Sequence, residues 1–308
     1  MILTDKGTDT IHLSKKADCK ENLKEPSKME PLVSICMSTY KHAPFIGKAI
    51  ESVLMQKTNF PFQLVIGEDS SNDGTRAVCE QYCREHQGLI NLLPSDRNYG
   101  QNLNLERTLK ACTGKYVALC EGDDFWTDPY KLQKQVDFLE KHPEFVLCFH
   151  RMDSVDQNDV LIQKVQPSDK VLYYKGTDFF HVFTGTPTMM FRNCLRTLPE
   201  EFFRVKSTDA FLLGMLSGYG QGADLGFVGA SYRKHIGGLY NQLSPLGRFK
   251  QSIHTRKLMK RSSFFSEEQK REIKKELVRR ESLYVKYFLK KKQLVNSMRI
   301  LFFYLSLR

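Results

Sequence analysis

The chain contains no run of about 18 consecutive apolar residues, the length a helix needs to cross a bilayer. Its N-terminal residues lack the continuous apolar core of a signal peptide. Both absences point to a cytoplasmic protein with reduced thiols. Tryptophan is reduced to one residue, Trp126, and no internal repeat is present. The eight cysteines are Cys19, Cys36, Cys79, Cys83, Cys112, Cys120, Cys148 and Cys194. Cys79 and Cys83 lie one helical turn apart, but no second Cys or His pair stands nearby at zinc spacing, which argues against structural zinc. Several of the others sit in apolar runs, where free thiols pack as small hydrophobes.

Charge is present but unevenly placed. The formal net charge over 308 residues is +11, yet from Leu246 to the end there are 18 Lys/Arg against 5 Asp/Glu, leaving 28 basic and 30 acidic residues elsewhere. A near-neutral body therefore carries a basic C-terminal region. Such a region suits an anionic partner. Hydrophobic content of 41% and aromatic content of 11% fit a globular enzyme. Three regions are expected: a flexible polar extension over 1–30, a globular domain over 31–245, and a basic helical region over 246–308.

From residue 31 the pattern alternates. Apolar runs at 32–39, 62–67, 89–93 and 116–120 read as strands, and the segments 45–55, 75–85 and 103–111 between them have helical spacing. Continuous apolar strands separated by helices predict a parallel, doubly wound sheet with ligands at the strands' carboxyl ends. Further on, a helix is expected at 130–141, a strand at 145–150, a helix near 177–183, a strand at 188–191, a helix at 209–216 and a strand at 225–232.

One stretch concentrates chemistry. The buried strand Tyr116-Val-Ala-Leu-Cys120 runs into Glu121-Gly-Asp-Asp124 and then Phe125-Trp126. Three crowded carboxylates repel one another unless neutralised. A hard divalent cation with oxygen ligands, bridging to substrate phosphates, would do so. Alternatively the acids are a solvated strand end capping the helix after Pro129. Gly122 gives the backbone room either way.

The order of these motifs resembles glycosyltransferase family 2. Val33-Ser-Ile-Cys-Met-Ser-Thr-Tyr40 is similar to that family's first strand, with Ser38 where Pro is usual. Glu68-Asp69-Ser-Ser-Asn-Asp-Gly-Thr75 resembles its Asp-Asp-Gly-Ser-x-Asp-Gly-Thr, and Glu121-Gly-Asp-Asp124 with Trp126 its metal-binding Asp-x-Asp region. In each acidic motif a Glu stands for the first Asp. Asn98-Tyr-Gly100, Thr113-Gly-Lys-Tyr116, Ser207-Thr-Asp209 and Tyr232-Arg-Lys-His235 follow in family order.

The resemblance implies a GT-A fold, an α/β Rossmann-like and mainly parallel sheet flanked by helices, here with the basic helical extension. It also implies a nucleotide-diphosphate sugar donor, Mg²⁺ or Mn²⁺, and transfer with inversion. Thr39 and Tyr40 would line the base pocket, and Asp69 would accept a hydrogen bond from a uracil or thymine ring N–H. Its alternative is a turn or cap. Arg97 would face the donor or the solvent. Asp123 is the first choice of metal ligand. Glu121 and Asp124 are candidates for ligation or for holding ribose and sugar hydroxyls. His235 is a metal or diphosphate contact or a structural residue. Arg233 is a phosphate partner or an ion pair. Asp209 is the expected general base and also favours a helix start; Asp178 and Asp224 are weaker competitors. Trp126 would wall the sugar or acceptor, or pack in the core.

The expected acceptor is a glycan or a lipid-linked glycan, as in surface polysaccharide synthesis. The aromatic and basic C-terminal helices would touch the inner membrane surface peripherally, and nucleic acid is not an expected partner. A sugar-nucleotide nucleotidyltransferase would need a Gly-rich, Arg-containing loop after the first strand, and Tyr40-Lys-His-Ala-Pro44 has none. A non-catalytic anion-binding protein would act through its basic tail and bind anions without regard to Asp123.

Overall fold

The computed structural model describes residues 30–182, 184–238 and 243–305; apart from Glu30, the expected N-terminal extension lies outside them. The chain runs β1 (Val33–Thr39), α1 (Ile46–Leu54), β2 (Phe62–Glu68), α2 (Thr75–Glu85), β3 (Ile90–Leu92), α3 (Gln101–Lys110), β4 (Tyr116–Leu119), β5 (Phe125–Trp126) and α4 (Lys131–Lys141). It continues with β6 (Phe145–Asp156), β7 (Leu161–Gln163), β8 (Leu172–Tyr174), β9 (Met190–Arg192), α5 (Thr208–Leu216) and β10 (Gln221–Lys234), and closes with α6 (Pro245–Arg261), α7 (Glu267–Lys290) and α8 (Leu294–Leu305).

The strands form one sheet in the order β3-β2-β1-β4-β9-β6-β10-β5, with β7 on β6 and β8 on β10. β3, β2, β1 and β4 are mutually parallel. This is the alternating half read from the apolar runs. Beyond β4 the sheet is mixed, because β9 runs antiparallel between β4 and β6. β6 and β10 are longer than their apolar stretches imply and stay parallel through several register shifts. The expected helix at 177–183 is a short 3-10 turn, Gly176–Phe180, and the expected strand at 188–191 divides into a 3-10 turn, Thr186–Thr188, and β9. Pro187 early in that turn withholds one N–H from any ladder.

β1 lies between β2 and β4, so both its faces are covered. Its side chains alternate accordingly. Val33, Ile35 and Met37 pack in one layer with Ile46, Ala49, Ile50 and Val53 of α1 and Leu132, Val136 and Leu139 of α4. Cys36 faces the other layer with Val65, Val117, Leu119 and Phe191. That second layer also takes in Phe249, Ile253, Ile273, Leu277, Phe288 and Ile300. α6 and α7 thus each bury an apolar stripe in the core of the sheet, and α8 adds Ile300. Among the described residues no helix is long and apolar enough to cross a membrane.

Because β1, β2 and β4 point the same way, their carboxyl ends deliver Thr39, Glu68-Asp69 and Glu121 to a single edge of the sheet. This is where open α/β sheets bind ligands.

Candidate active site

The loop after β1 is fastened to the loop after β2. The Lys41, His42 and Ala43 N–H groups donate to Ser71 Oγ at 2.9 Å, Thr75 Oγ1 at 2.9 Å and Asp73 Oδ2 at 3.1 Å. Lys41 and Ser70 both adopt positive φ, 56° and 58°, a conformation that strains non-glycine residues and here lets the two loops face each other. Tyr40 stays exposed at the rim. Thr39 is buried at the floor.

Asp69 is buried, and its carboxylate is already engaged. One oxygen accepts the Tyr99 N–H at 2.6 Å and the other the Gly100 N–H at 2.9 Å, while Asn98 Nδ2 donates to the Asp69 carbonyl at 2.8 Å. Asp69 thus holds the Asn98-Tyr99-Gly100 turn beside the cleft, and a carboxylate in two such bonds keeps further lone pairs for a ligand. Arg97 is exposed and lies 4.9 Å over the Tyr99 ring.

The acidic loop sits directly on β1. A Cβ on Gly122 would fall 2.4 Å from Thr39 Oγ1 and 2.9 Å from Ile46 Cδ1, so only glycine lets the loop approach this closely. Asp123 Oδ2 lies 3.0 Å from His235 Nε2 and 3.6 Å from His42 Nε2. Burial pulls the Asp123 carboxyl upward, but His42 and His235 outweigh it and hold the group below its ordinary range. Asp124 Oδ1 accepts the Arg233 backbone N–H at 2.9 Å, whereas Asp124 Oδ2 is buried with no partner. Burial, then the Asp123 and Glu121 charges, drives the Asp124 carboxyl well up. Glu121 is pushed up to about 8 by burial, then by Asp123 and Asp209. Burial raises Asp209 too, with the Ala210 N–H and Arg256 pulling it back. Asp209, in the first turn of α5, thus acts on Glu121 although 87 residues lie between them in the chain.

Around the acidic loop stand Thr39, Glu121, Asp123, Asp124 and His235, with Asp209 acting on Glu121 and with Tyr40 and Asp69 on the adjoining loops. Two expected residues are placed otherwise. Arg233 is buried; its Nε donates to the Asp123 carbonyl at 2.9 Å and its Nη1 to Asp159 Oδ1 at 2.6 Å, and its guanidinium lies 4.8 Å over the Phe45 ring. That geometry corrects the phosphate-partner reading: a guanidinium used up in holding the acidic loop is a strut. Trp126 is buried as well, with Nε1 donating to the Pro187 carbonyl at 2.9 Å and the Lys131 ammonium 4.0 Å from its ring. A ring covered on these sides offers no face to a sugar, so Trp126 belongs to the core. Asp178 caps a turn through the Lys175 N–H, and Asp224 accepts from the Gly226 N–H. Neither competes with Asp209.

His42 escaped the reading from sequence. It is a lone histidine in a loop, and its only sequence signal is a position three residues beyond Thr39.

Among the described residues, two groups have ligand atoms within 4.8 Å of one another: His42, Asp123 and His235, and Glu121, Asp123 and Asp124. The orphaned Asp124 oxygen and the upward-shifted Glu121 are what an acid cluster short of positive charge displays. The donor set, carboxylate oxygens with imidazole nitrogens, fits a divalent ion such as Mg²⁺ or Mn²⁺.

Comparison with known proteins bears on the family and the fold. The sequence profile of Glycosyl transferase family 2 matches residues 34–198. A putative glycosyltransferase EpsE of Bacillus subtilis (strain 168) is 34% identical over 170 residues, covering 54% of this chain and 59% of the relative. An uncharacterized protein of Mycobacterium tuberculosis (strain ATCC 25618 / H37Rv) is 39% identical over 118 residues, 38% of this chain and 34% of that protein. The match thus spans about a third of that relative's length. Among solved structures, S. aureus TarS residues 1-349 in complex with UDP-GlcNAc superposes with a TM-score of 0.62 at 18% identity, covering 87% of this chain and 79% of that one. Mannosyltransferase PcManGT from Pyrobaculum calidifontis, in complex with GDP-Man and Mn²⁺, gives 0.56 at 15%, covering 90% and 76%. At these identities the structural likeness speaks for the fold.

Proposed function

The chain belongs to glycosyltransferase family 2, and from that membership we propose that it is an inverting, metal-dependent enzyme moving a sugar from a nucleotide-diphosphate sugar, UDP-linked, to a glycan or lipid-linked acceptor in surface polysaccharide synthesis. The observation that carries the proposal is the convergence of Glu121, Asp123, Asp124, Asp209 and His235 at the carboxyl ends of the parallel strands. The donor named in the TarS complex, UDP-GlcNAc, and the teichuronic acid biosynthesis assigned to TuaG of Bacillus subtilis (strain 168), 32% identical over 110 residues, support the donor class and the acceptor class.

In this reading the base rests between the Tyr40 rim and the turn held by Asp69, whose remaining lone pairs accept the ring N–H. Asp123 and His235 would hold the ion, with Glu121 and Asp124 placed to hold ribose and sugar hydroxyls. A bound divalent ion stabilises the charge that develops on the departing diphosphate. Asp209 takes the proton from the acceptor hydroxyl as it attacks opposite the leaving group. Its upward shift brings its affinity for that proton closer to working pH. Arg233 keeps the acidic loop in place through the Asp123 carbonyl.

Peripheral membrane contact is part of the proposal. α7 and α8 leave Leu283, Tyr287, Leu289, Leu294, Val295 and Met298 exposed, alongside the exposed Lys286, Lys290, Lys291 and Lys292. Apolar side chains beside lysines suit an anionic lipid surface. Co-sedimentation with phosphatidylglycerol vesicles but not with phosphatidylcholine vesicles is the expected outcome.

A panel of nucleotide sugars incubated with Mn²⁺, with nucleoside diphosphate release as the readout, tests the enzymatic reading. One donor should be hydrolysed well above the rest, and Asp123→Ala and Asp209→Asn should each lose transfer while keeping the wild-type circular dichroism spectrum. Full activity in either variant overturns that residue's role.

A further inference from the structure

We propose that His42 is a third protein ligand of the divalent ion, and that the resulting set of two imidazoles and one carboxylate selects Mn²⁺ and softer first-row ions over Mg²⁺. The inference rests on the donor-site reading above and deepens it by naming the ligand that decides the metal.

Three observations point to His42. The first is position. His42 Nε2 and His235 Nε2 lie 3.6 and 3.0 Å from the same oxygen, Asp123 Oδ2, with the two rings edge to face at 5.8 Å. Ligands each about 2.1 Å from one ion and in adjacent coordination positions stand roughly 3 Å apart, and these three atoms, all within 4.8 Å of one another, can share one ion. A gap of 3.6 Å is also too long for a hydrogen bond to account for the ring's placement.

The second is the far side of the ring. His42 Nδ1 lies 3.2 Å from Thr39 Oγ1, and Thr39 is buried. Ligating histidines characteristically donate the N–H of the nitrogen away from the metal to an oxygen, which fixes the tautomer and turns the other lone pair inward. Thr39 Oγ1 stands where such an acceptor is needed. The third is rigidity. The backbone carrying His42 is fastened on both sides, through Lys41 to Ser71, His42 to Thr75 and Ala43 to Asp73, so the imidazole is placed before any ion arrives.

The consequence follows from ligand chemistry. Magnesium is usually held by one or two carboxylates, waters and phosphates, whereas imidazoles suit first-row transition ions. Two nitrogens in the protein's share of the coordination shell tilt the site away from Mg²⁺.

The full chain, stripped with EDTA, is titrated with MnCl₂ with and without UDP. Free Mn²⁺ is followed by EPR, and bound nitrogen is counted by pulsed EPR. The wild type should show two imidazole nitrogens on Mn²⁺ and bind Mn²⁺ at least about tenfold more tightly than Mg²⁺. His42→Ala and His42→Gln, with circular dichroism confirming the fold, should each show one nitrogen, bind Mn²⁺ at least about tenfold more weakly and narrow the Mn²⁺/Mg²⁺ preference. Wild-type affinity with two nitrogens in both His42 variants, while Asp123→Ala still loses Mn²⁺, overturns the His42 assignment and leaves the donor-site reading standing. No Mn²⁺ binding by the wild type, with or without UDP, overturns both.

Discussion

A half-buried acid cluster and a single buried acid lie in this molecule, and they are wired in opposite ways. Around the acidic loop, His42 and His235 stand against Asp123, Arg233 acts on Asp124, and Arg256 and Arg280 act on Asp209. Glu121 is pushed up to about 8 by burial and its acidic neighbours. Beneath the sheet, Glu276 of α7 accepts from Arg279 Nε at 2.6 Å, Arg280 Nε at 2.6 Å and His181 at 2.6 Å, with Arg256 4.0 Å away. Burial would raise that carboxyl, but this basic ring brings it down to about 2. A saturated acid is a staple between α7, α6 and the 3-10 turn at Gly176–Phe180. An undersupplied cluster, with a buried oxygen on Asp124 left over, has charge reserved for something that arrives. Asp209 lies between the two and feels Arg256 and Arg280 as well as Glu121.

The largest effect should come from emptying the first cluster. Asp123→Ala and Asp209→Asn should each lower sugar transfer by about a thousandfold or more, given what a general base or a metal ligand contributes, with thermal unfolding shifted little or upward because like charges are relieved. Calorimetry beside a transfer assay separates the two readouts. Second in size is the strut. Arg233→Ala removes a buried cation and frees the acidic loop, and should cost about 3–5 kcal/mol in chemical denaturation as well as activity.

Next comes the staple. Glu276→Gln leaves Arg256 buried without its carboxylate and should destabilise by about 3 kcal/mol, while kcat and KM of the remaining folded enzyme stay within about twofold. Its pH signature has a definite sign. The folded carboxyl lies at about 2, below an unfolded glutamate at about 4.3, so its contribution is complete above about pH 4.3 and is lost as pH falls through about 2. In Glu276→Gln, the steepest part of the acid-unfolding curve in that window should flatten.

The smallest effect concerns a buried cation with no carboxylate bonded to it. Lys131 Nζ bonds Gln135 Oε1 at 2.7 Å, and burial lowers it to about 7. The unfolded value is about 10.4, so the unfolded state binds more protons between these limits and stability should rise by a few kcal/mol from about pH 7 to pH 10. Lys131→Met should remove that slope and leave transfer unchanged.

Much of this was legible in the chain. Continuous apolar strands such as Val33–Thr39 and Tyr116–Leu119 announce a covered parallel sheet, and parallel strands bring their terminal acids to one edge, which singles out Asp69 and Asp123, whereas Asp209, at the start of α5, is named from the family resemblance alone. Other features depend on distance across the fold. Arg233 reads as a free cation because its partner Asp159 is 74 residues earlier. The sole tryptophan follows the acids directly, yet the close approach at Gly122 turns the chain so that Trp126 points into the core. The dense charge of α7 masks the stripe Ile273, Leu277 and Phe288 that anchors it. His42 has no ligand spacing to betray it, since its partners are brought to it by β4 and β10.

The central claim is that the undersupplied cluster is the donor site, and donor turnover under metal control tests it most directly. Nucleoside diphosphate release from the preferred nucleotide sugar should fall to background in EDTA, return with Mn²⁺, and stay at background in Asp123→Asn, while Glu276→Gln follows the wild type. Turnover that is equally fast in EDTA, or that survives in Asp123→Asn, would contradict it.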